Sequence, residues 1–338
     1  MKNRTDKKPT AGLLAGDVGG TKTTLAVFNS ASGPRVPLVE STFPSGDYPS
    51  LEVLVRKFLS QTKTKVDRAC FGVAGPVVDG QAKITNLPWM IHAATLAAAL
   101  GLASVHLYND LVTLAHAVPF LGEKDLHVLN TGRPASGGAI AVIAPGTGLG
   151  EAFLTRDATG YRACASEGGH ADFAPSNAVE AGLMLYLMER FGHVSYERVC
   201  SGSGLVNIYD YLKDSGRAEE TDRPAEQAAS AQDRATVIVK EALNEERACS
   251  ICQTALTLFI SILGAEAGNL ALKVMASGGV YLGGGILHRI LPVLGKGTFM
   301  EAFTRKGRMS HLMEGFPVYV ILNPGAALLG AARIGLSS

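Results

Sequence analysis

A carboxylate, a lysine and several glycines lie close together near the start of the chain, within residues 13–28, LLAGDVGGTKTTLAVF. Backbone N–H groups in a glycine-rich turn can form a concavity for anionic oxygens, to which Thr21 would add a hydroxyl and Lys22 a positive charge. Asp17 would repel a phosphate unless a divalent cation lay between them, and Mg²⁺, which keeps its water ligands, suits that place. The turn therefore predicts a site for a metal-bound nucleotide, made of Gly16, Asp17, Val18, Gly19, Gly20, Thr21 and Lys22.

The elements that position these residues are two strands. Apolar residues precede and follow the turn, and we expect Gly16, Gly19 and Gly20 to permit positive φ and close backbone approach. An ordinary hairpin turn would give the same pattern, and neither of the two commoner phosphate loops is present. A second copy of the pattern, at residues 139–154, AIAVIAPGTGLGEAFL, favours the phosphate interpretation through Gly146, Thr147 and Gly148. Two such turns facing each other would clamp a polyphosphate across a cleft.

A candidate acid–base group stands at the end of another apolar run, residues 105–111, VHLYNDL. Asn109 and Asp110 end the run, and a helical pattern follows. In an open α/β sheet, ligands bind at such strand ends. The alternative is that both residues only cap the helix, since Asn and Asp are favoured at that position.

Three further polar residues come from the segments SEGGH and HVSYERVCSG: Glu167, His170 and Glu197. Together they offer two acceptors and one group that donates or accepts, which suits the vicinal hydroxyls of a pyranose. Each alone has an ordinary interpretation, as a loop acid, a satisfied histidine and an exposed helix acid.

Composition limits the class of protein. The chain has 338 residues, enough for two domains, with 47% hydrophobic and 18% charged residues, as in a well-cored globular protein. A net charge of +1 provides no general field for nucleic acid or an anionic membrane. Five cysteines in mainly apolar contexts favour a reducing cytosol, and the polar first ten residues do not resemble a signal peptide. The apolar stretch 255–264, which we expect to break at Glu266, is too short for a membrane span and predicts a core helix.

The motifs GDVGGTK and APGTGLG resemble the two phosphate motifs of the sugar-kinase, actin and heat-shock ATPase superfamily. Residues 277–286, SGGVYLGGGI, resemble its adenosine motif, and on that basis Gly278 and Gly279 are expected to contact the nucleotide. The segments SEGGHADFAP, GHVSYERVCSGSGLVNIY and NPGAALLGAA resemble the bacterial-type glucokinase family. The cysteine cluster of the zinc-containing repressor/ORF/kinase group is absent from the sequence, which favours the non-zinc branch.

The resemblance implies an α/β fold with two ribonuclease-H-like domains of the actin-like ATPase type and an interdomain cleft. We place the small domain at residues 1–119 with 321–338 and the large domain at 120–320. The implied reaction is Mg²⁺- and ATP-dependent phosphorylation of D-glucose at its 6-hydroxyl by a cytoplasmic protein, expected to be a homodimer that binds neither nucleic acid nor membrane. The expected roles are general base for Asp110 and sugar contacts for Asn109, Glu167, His170, Glu197 and Asn86, the last on a loop over the sugar.

Three alternatives stay open at this point. A kinase for another hexose would carry the same motifs, and an actin-like structural protein would share the phosphate turns but not explain the Glu167, His170 and Glu197 group. A sugar-responsive repressor would need a DNA-binding module ahead of residue 13. Residues 213–234 are polar and alanine-rich, and we expect a solvated connector there.

Overall fold

The structure, a computed structural model, describes residues 12–84, 86–218, 231–246 and 249–337, with side chains from residue 234 in the third range. The chain forms two compact units. The first ends at Gly122 and is completed by the segment that starts at Asn323, and the second runs from Glu123 to Leu322. All five cysteines are free, as the sequence predicts.

The first unit is built on a mixed sheet flanked by helices. Its strands, in chain order, are β1 (Gly12–Val18), β2 (Lys22–Phe28), β3 (Val39–Pro44), β4 (Val66–Val73) and, after a small antiparallel sheet, β8 (Ser104–Asn109). The small sheet consists of β5 (Val77–Val78), β6 (Gln81–Lys83) and β7 (Met90–His92). The helices are α1 (Leu51–Thr62), α2 (Ala93–Leu100), α3 (Asp110–Ala117) and the C-terminal α11 (Ala326–Ser337).

Local signals account for these elements. Helix α1 begins after Ser50, whose hydroxyl accepts a hydrogen bond from the backbone of Val53, and it buries the apolar face that its helical spacing predicts. Helix α2 ends at Gly101, which adopts the left-handed conformation with φ 68°. Helix α11 returns to the first unit and packs against α3, β1 and β4.

The second unit contains a six-stranded mixed sheet. Its strands are β9 (Leu126–Asn130), β10 (Ile140–Pro145), β11 (Leu149–Asp157), β12 (Gly160–Ser166), β13 (Gly279–Leu282) and β14 (Val318–Ile321). Its helices are α4 (Ala178–Phe191), α5 (Gly202–Asp214), α6 (Ala231–Ala242), α7 (Ser250–Val274), α8 (Gly285–Leu294), α9 (Thr298–Thr304) and α10 (Ser310–Glu314).

The two sheets share one strand order. In the first unit the order is β3-β2-β1-β4-β8, and in the second it is β12-β11-β10-β13-β14, with β9 added at the edge. In both, the first strand of a hairpin pairs in parallel with a third strand, which in turn pairs in parallel with a fourth. The repeat that the two glycine-rich turns indicate therefore extends to the whole sheet.

Two sequence expectations need correction here. The apolar stretch does not break at Glu266, because α7 continues to Val274 and buries this glutamate completely. By length and composition α7 could cross a membrane, but 72% of its apolar stretch is buried inside the protein, so it is a core helix. The connector expected at 213–234 is shorter, since α5 extends to Asp214 and α6 begins at Ala231; residues 219–230 lie outside the described residues.

Candidate active site

The first glycine-rich turn joins β1 to β2 and is held by a serine from elsewhere in the first unit. The backbone N–H of Gly19 donates to the carbonyl of Lys22 at 3.0 Å, which closes the turn. Ser45 donates through its hydroxyl to the carbonyl of Gly19 at 2.7 Å and through its backbone N–H to that of Thr21 at 3.0 Å. Ser45 is fully buried, so the turn has a fixed shape. Nothing in the sequence around this serine indicates its role, since the turn that it supports lies 24 to 26 residues earlier in the chain.

The glycines of this segment serve close packing. None of Gly16, Gly19 and Gly20 has φ in the left-handed region, so the expectation of positive φ was wrong. Gly16 lies within β1, where a Cβ would come 2.6 Å from a ring carbon of Phe71. Gly16 is thus required by the core beneath the turn, and the turn itself consists of residues 19–21.

Asp17 carries a carboxylate whose negative charge the surrounding protein compensates only in part. It lies near the end of β1 and is half-buried. Burial raises its pKa, and the positive charge of Lys22 opposes that shift in part. A cation beside the carboxylate would favour its ionised form. A single oxygen ligand with bound waters is typical of Mg²⁺ sites, and the described residues contain no cluster of three or more side chains that would enclose a metal. Asp17 therefore fits an ion held mainly by water and phosphate.

The register of the sheet brings Asn109 and Asp110 to the edge that carries this turn. Val18 at the end of β1 pairs with Val73 of β4, and Val73 pairs with Asn109 at the end of β8, both in parallel. Neighbouring strands lie about 4.8 Å apart, so about 10 Å separates the ends of β1 and β8. The carboxyl ends of these parallel strands are where an α/β sheet places its ligands.

Asn109 and Asp110 also begin helix α3. Asn109 is its N-cap and accepts a hydrogen bond from the backbone of Leu111 at 2.9 Å, while its amide donates to the carbonyl of Gly75 at 3.1 Å. Asp110 accepts from the same N–H of Leu111 at 2.9 Å. Asn109 therefore caps the helix, and its sugar contact stays a prediction. Capping also fixes both side chains at the sheet edge, and the N-terminus of a helix favours the ionised carboxylate.

Asn86 occupies an exposed turn between β6 and β7. Its φ is 64°, a conformation that asparagine adopts more readily than most residues. The loop is anchored by Trp89, which is buried and donates from its indole to the carbonyl of Tyr48 at 3.0 Å. The turn-forming role of Asn86, which the sequence left open, is present in the structure, and its sugar contact stays a prediction.

The second glycine-rich turn, in the second unit, joins β10 to β11 and contacts Glu197. Gly146 donates to the carbonyl of Gly148 at 2.8 Å, and Gly202 donates to the carbonyl of Gly146 at 2.8 Å. One carboxylate oxygen of Glu197, Oε2, accepts from the backbone of Leu149 at 3.0 Å. A Cβ on Gly148 would come 2.4 Å from that same oxygen. The glutamate expected at the sugar thus lies directly against the turn expected to hold phosphate.

Glu167 directly precedes a short 3-10 turn, Gly168–His170, and both Glu167 and His170 are exposed. The turn packs against another, Tyr196–Arg198, which carries Glu197. Two backbone bonds join the segments: Tyr196 donates to Ala171 at 3.0 Å and Phe173 donates to Val194 at 2.9 Å. The structure therefore brings together the segments that bear all three polar residues predicted from the second half of the chain.

Gly278 and Gly279 do not lie where the nucleotide interpretation requires. Gly279 pairs with Ile140 at the start of β10, whereas the turn 146–148 follows the end of that strand, about 16 Å away at 3.3 Å per residue. The glycines at the edge of the turn are Gly283, which donates to Ile143 at 2.9 Å, and Gly284, where a Cβ would come 2.2 Å from the carbonyl of Pro145. They belong to the same glycine-rich motif and directly precede α8. Residues 283–284 therefore replace Gly278 and Gly279 as candidates.

Comparison with known proteins agrees with this arrangement. The glucokinase family matches residues 14–337. A glucokinase from Nostoc punctiforme is 40% identical over 334 residues, which cover 95% of this chain and 97% of that protein. The crystal structure of a glucokinase from an Antarctic psychrotroph is 34% identical, with a TM-score of 0.82 and coverage of 98% of this chain and 100% of that one. A glucokinase of the repressor/ORF/kinase family from Streptomyces griseus, 19% identical with a TM-score of 0.65 over 97% and 100% of the two chains, shares the fold.

These likenesses confirm the predicted α/β sugar-kinase fold, with its two mixed sheets. The alternatives of a structural protein and a repressor are not supported, since the match to an enzyme family extends over nearly the whole chain. The chain therefore belongs to the glucokinase family, and its activity is the phosphorylation of glucose.

Proposed function

We propose that the chain transfers the γ-phosphoryl group of ATP to the 6-hydroxyl of D-glucose, with Asp110 as the general base. The observation that carries this proposal is the parallel register from Val18 through Val73 to Asn109. It places the carboxylate at the start of α3 on the same sheet edge as the turn 19–21. The Streptomyces griseus glucokinase was crystallised with glucose and AMPPNP, which supports the same pair of ligands here.

The phosphates of ATP are proposed to bind backbone N–H groups of the turns 19–21 and 146–148, with Thr21, Lys22 and Thr147 adding side-chain contacts. The glycines 283–284 precede the N-terminus of α8, which favours negative charge and offers unpaired backbone N–H groups. Mg²⁺, when bound through water to Asp17, neutralises charge on the phosphate oxygens. Phosphoryl transfer requires mainly positioning and charge stabilisation, which rigid turns of this kind provide.

The glucose ring is proposed to bind Asn109, Glu167, His170 and Glu197, with Asn86 as a further contact. Glu197 uses Oε2 to hold Leu149, which leaves Oε1 to accept a sugar hydroxyl. One carboxylate would then contact both the sugar and the turn proposed to bind phosphate. Correct placement of the sugar would thereby depend on the shape of residues 146–149.

In the proposed reaction, oxygen O6 of glucose forms a bond to the γ-phosphorus as the bond from that phosphorus to the β,γ-bridging oxygen breaks. ADP leaves, and the proton of the 6-hydroxyl passes to the carboxylate of Asp110. Because the transition state is loose, the proton leaves late, so the base matters most for removing it. Asp110 then acts in the transition state and only weakly in the ground state.

The test is Asp110→Asn, which keeps the shape of the side chain and its acceptor for the Leu111 N–H. We expect kcat to fall by roughly 10²-fold or more while the glucose Kd stays nearly unchanged, the result typical of a lost general base. Single-turnover rates and calorimetric titration with glucose measure the two quantities separately. A variant that retained most of its kcat, or that lost only glucose affinity, would make Asp110 a helix cap or a binding residue.

The finer features of the prediction are proposed as well: D-glucose as the hexose substrate, a cytoplasmic location and a homodimer. A mannose or amino-sugar kinase stays the nearest alternative in specificity. Comparison of kcat/KM over a panel of hexoses decides between them, and sedimentation velocity measures the assembly.

A further inference from the structure

Two carboxyl groups that the proposed reaction does not use are buried side by side in the second unit. Glu151 lies on β11 and is 2% exposed, and Glu266 lies in α7 and is 0% exposed. The two carboxyl groups are close enough to interact directly. Burying a carboxylate is costly unless it is paired or neutralised. Two such groups in contact in the core therefore need a partner or a proton that offsets this cost.

Glu151 supports the turn between Glu167 and His170. A Cβ on Gly168 would come 2.0 Å from Oε2 of Glu151, so the backbone of Gly168 lies directly against this carboxyl. Glu151 also pairs across the sheet with Ser166, whose hydroxyl accepts from the backbone of Gly168 at 3.0 Å. The height of the turn above β11 is thus set by the Glu151 side chain.

Glu266 supports the turn that carries Glu197. Its Oε2 accepts from the amide of Asn269 at 2.9 Å, and the same amide nitrogen lies 2.8 Å from the hydroxyl of Tyr196, the neighbour of Glu197. Asn269 is fixed in turn by Lys306, which donates to its carbonyl oxygen at 2.6 Å and to the backbone of Ala265 at 2.8 Å. The carboxyl pair therefore underlies both turns at once.

One proton between the two groups explains this geometry. The Oε1 atoms of Glu151 and Glu266 have no hydrogen-bond donor among the described residues, and Lys273 lies 3.8 Å from that of Glu266. A hydrogen bond between two carboxyl groups requires that one of them be protonated. Two adjacent buried carboxylates do not both ionise near neutral pH.

We propose that Glu151 and Glu266 share a single proton and act as positioning residues, holding the turns 168–170 and 196–198 in the arrangement that binds glucose. This inference rests on the proposed sugar contacts of Glu167, His170 and Glu197. Loss of the shared proton would put two negative charges in contact beneath both turns. Their repulsion would displace Gly168 or Tyr196, and glucose affinity would fall.

The neighbouring charges determine the pH at which the shared proton is lost. Burial raises the pKa of both carboxyl groups; the charge of Glu266 raises that of Glu151 further, whereas contact with Glu151 lowers that of Glu266. The other titratable groups that face the pair are Lys273 on α7, Lys306 before α10, Tyr196 and Cys200. Lys273 opposes the shift but is 58% exposed, and burial lowers the pKa of Lys306. Because the pKa of Glu151 is raised to about 8, we expect the shared proton to dissociate above neutral pH.

The experiment is calorimetric titration of the full-length protein with glucose alone, between pH 6 and pH 9. For a single proton that dissociates near pH 8, the wild-type Kd rises about tenfold between pH 7 and pH 9. Glu151→Gln and Glu266→Gln replace the shared proton with a permanent amide donor, so each should give a Kd independent of pH in this range. Glu180→Gln is the matched control: it changes another buried glutamate, bonded to Ser176 and Asn177, and should follow the wild-type profile.

A wild-type Kd that does not change with pH would overturn the proposal, as would the same rise in both Gln variants. If only one variant folds, the dependence of its glucose Kd on pH, compared with that of the wild type, still decides whether the proposal holds. A Glu197→Gln variant separates this result from failure of the sugar-site assignment. If Glu197→Gln leaves the glucose Kd unchanged, the assignment itself is wrong; if it weakens binding while the Glu151 and Glu266 variants titrate like the wild type, only the positioning role is wrong.

Discussion

Gly148 offers the sharpest test of the proposed link between the phosphate turn and the sugar. In Gly148→Ala, the new Cβ would lie 2.4 Å from Oε2 of Glu197, about 1 Å closer than ordinary van der Waals contact. Gly148 does not have a positive φ, so alanine meets no backbone penalty there. The carboxylate must therefore move, and its 3.0 Å bond to Leu149 is the contact that breaks.

The size of the effect follows from the bond that is lost. A hydrogen bond to a charged group contributes about 1.5–3 kcal/mol, and each 1.4 kcal/mol is a factor of ten, so kcat/KM for glucose should fall roughly 10- to 150-fold. Glu197→Gln should give a loss of similar size because it removes the charge of the acceptor that forms this bond. The double variant should lose little beyond either single variant, since both act on one interaction.

Steady-state kinetics with glucose varied at saturating ATP, together with glucose titration, measures these losses. Gly295→Ala is the control for replacing a glycine, because a Cβ at that exposed position meets nothing within 4 Å and its φ is −76°. Full additivity of Gly148→Ala and Glu197→Gln, or a Gly148→Ala enzyme with the glucose kinetics of the control, would refute the coupling.

Two further predictions concern carboxylates. Asp17→Ala should reduce the rate and shift its Mg²⁺ dependence to higher ion concentrations, because the charge that attracts the ion through its waters is lost; an unchanged Mg²⁺ titration would contradict that role. For Glu151, the pKa in the folded state, about 8, exceeds its ordinary value of 4.5, so its contribution to stability is complete below pH 4.5 and is lost as the pH rises towards 8. Urea unfolding at pH 5.5 and pH 7.5 should therefore show Glu151→Gln gaining stability relative to the wild type at the higher pH. If the difference in unfolding free energy between Glu151→Gln and the wild type were equal at both pH values, the raised pKa of Glu151 would be ruled out.

Features with a local cause were predictable from the sequence. The hairpins around both glycine-rich turns, the helix after Ser50 and the end of helix α2 at Gly101 each depend on a few neighbouring residues. The polar residues at the end of β8 were found for the same reason, since the apolar run and the helix-capping residues adjoin in the chain. Family motifs supplied the rest of the candidate site.

Features set by contacts between distant segments were not predictable. Gly16 looked like a turn glycine, but the ring of Phe71 is what excludes a side chain there. Gly279 and Gly284 belong to one motif, and only the register of β13 against β10 shows which lies beside the phosphate turn. Glu266 looked like the end of an apolar stretch because its partner, Glu151, lies on a strand far away in the sequence.

The return of the last helix to the first unit has a consequence for biosynthesis. Helix α11 fits so closely that a Cβ on Gly330 would lie 1.7 Å from the carbonyl of Thr113, and one on Gly335 would lie 2.5 Å from Leu13. The second unit is continuous in sequence, from Glu123 to Leu322, and can complete its core while the chain is still on the ribosome. The first unit emerges earlier but lacks α11, which covers Leu13, Ala15 and Cys70, until residues 326–337 have been synthesised. The elements that carry the proposed base and the first phosphate turn thus acquire their native support only after the second unit has been synthesised.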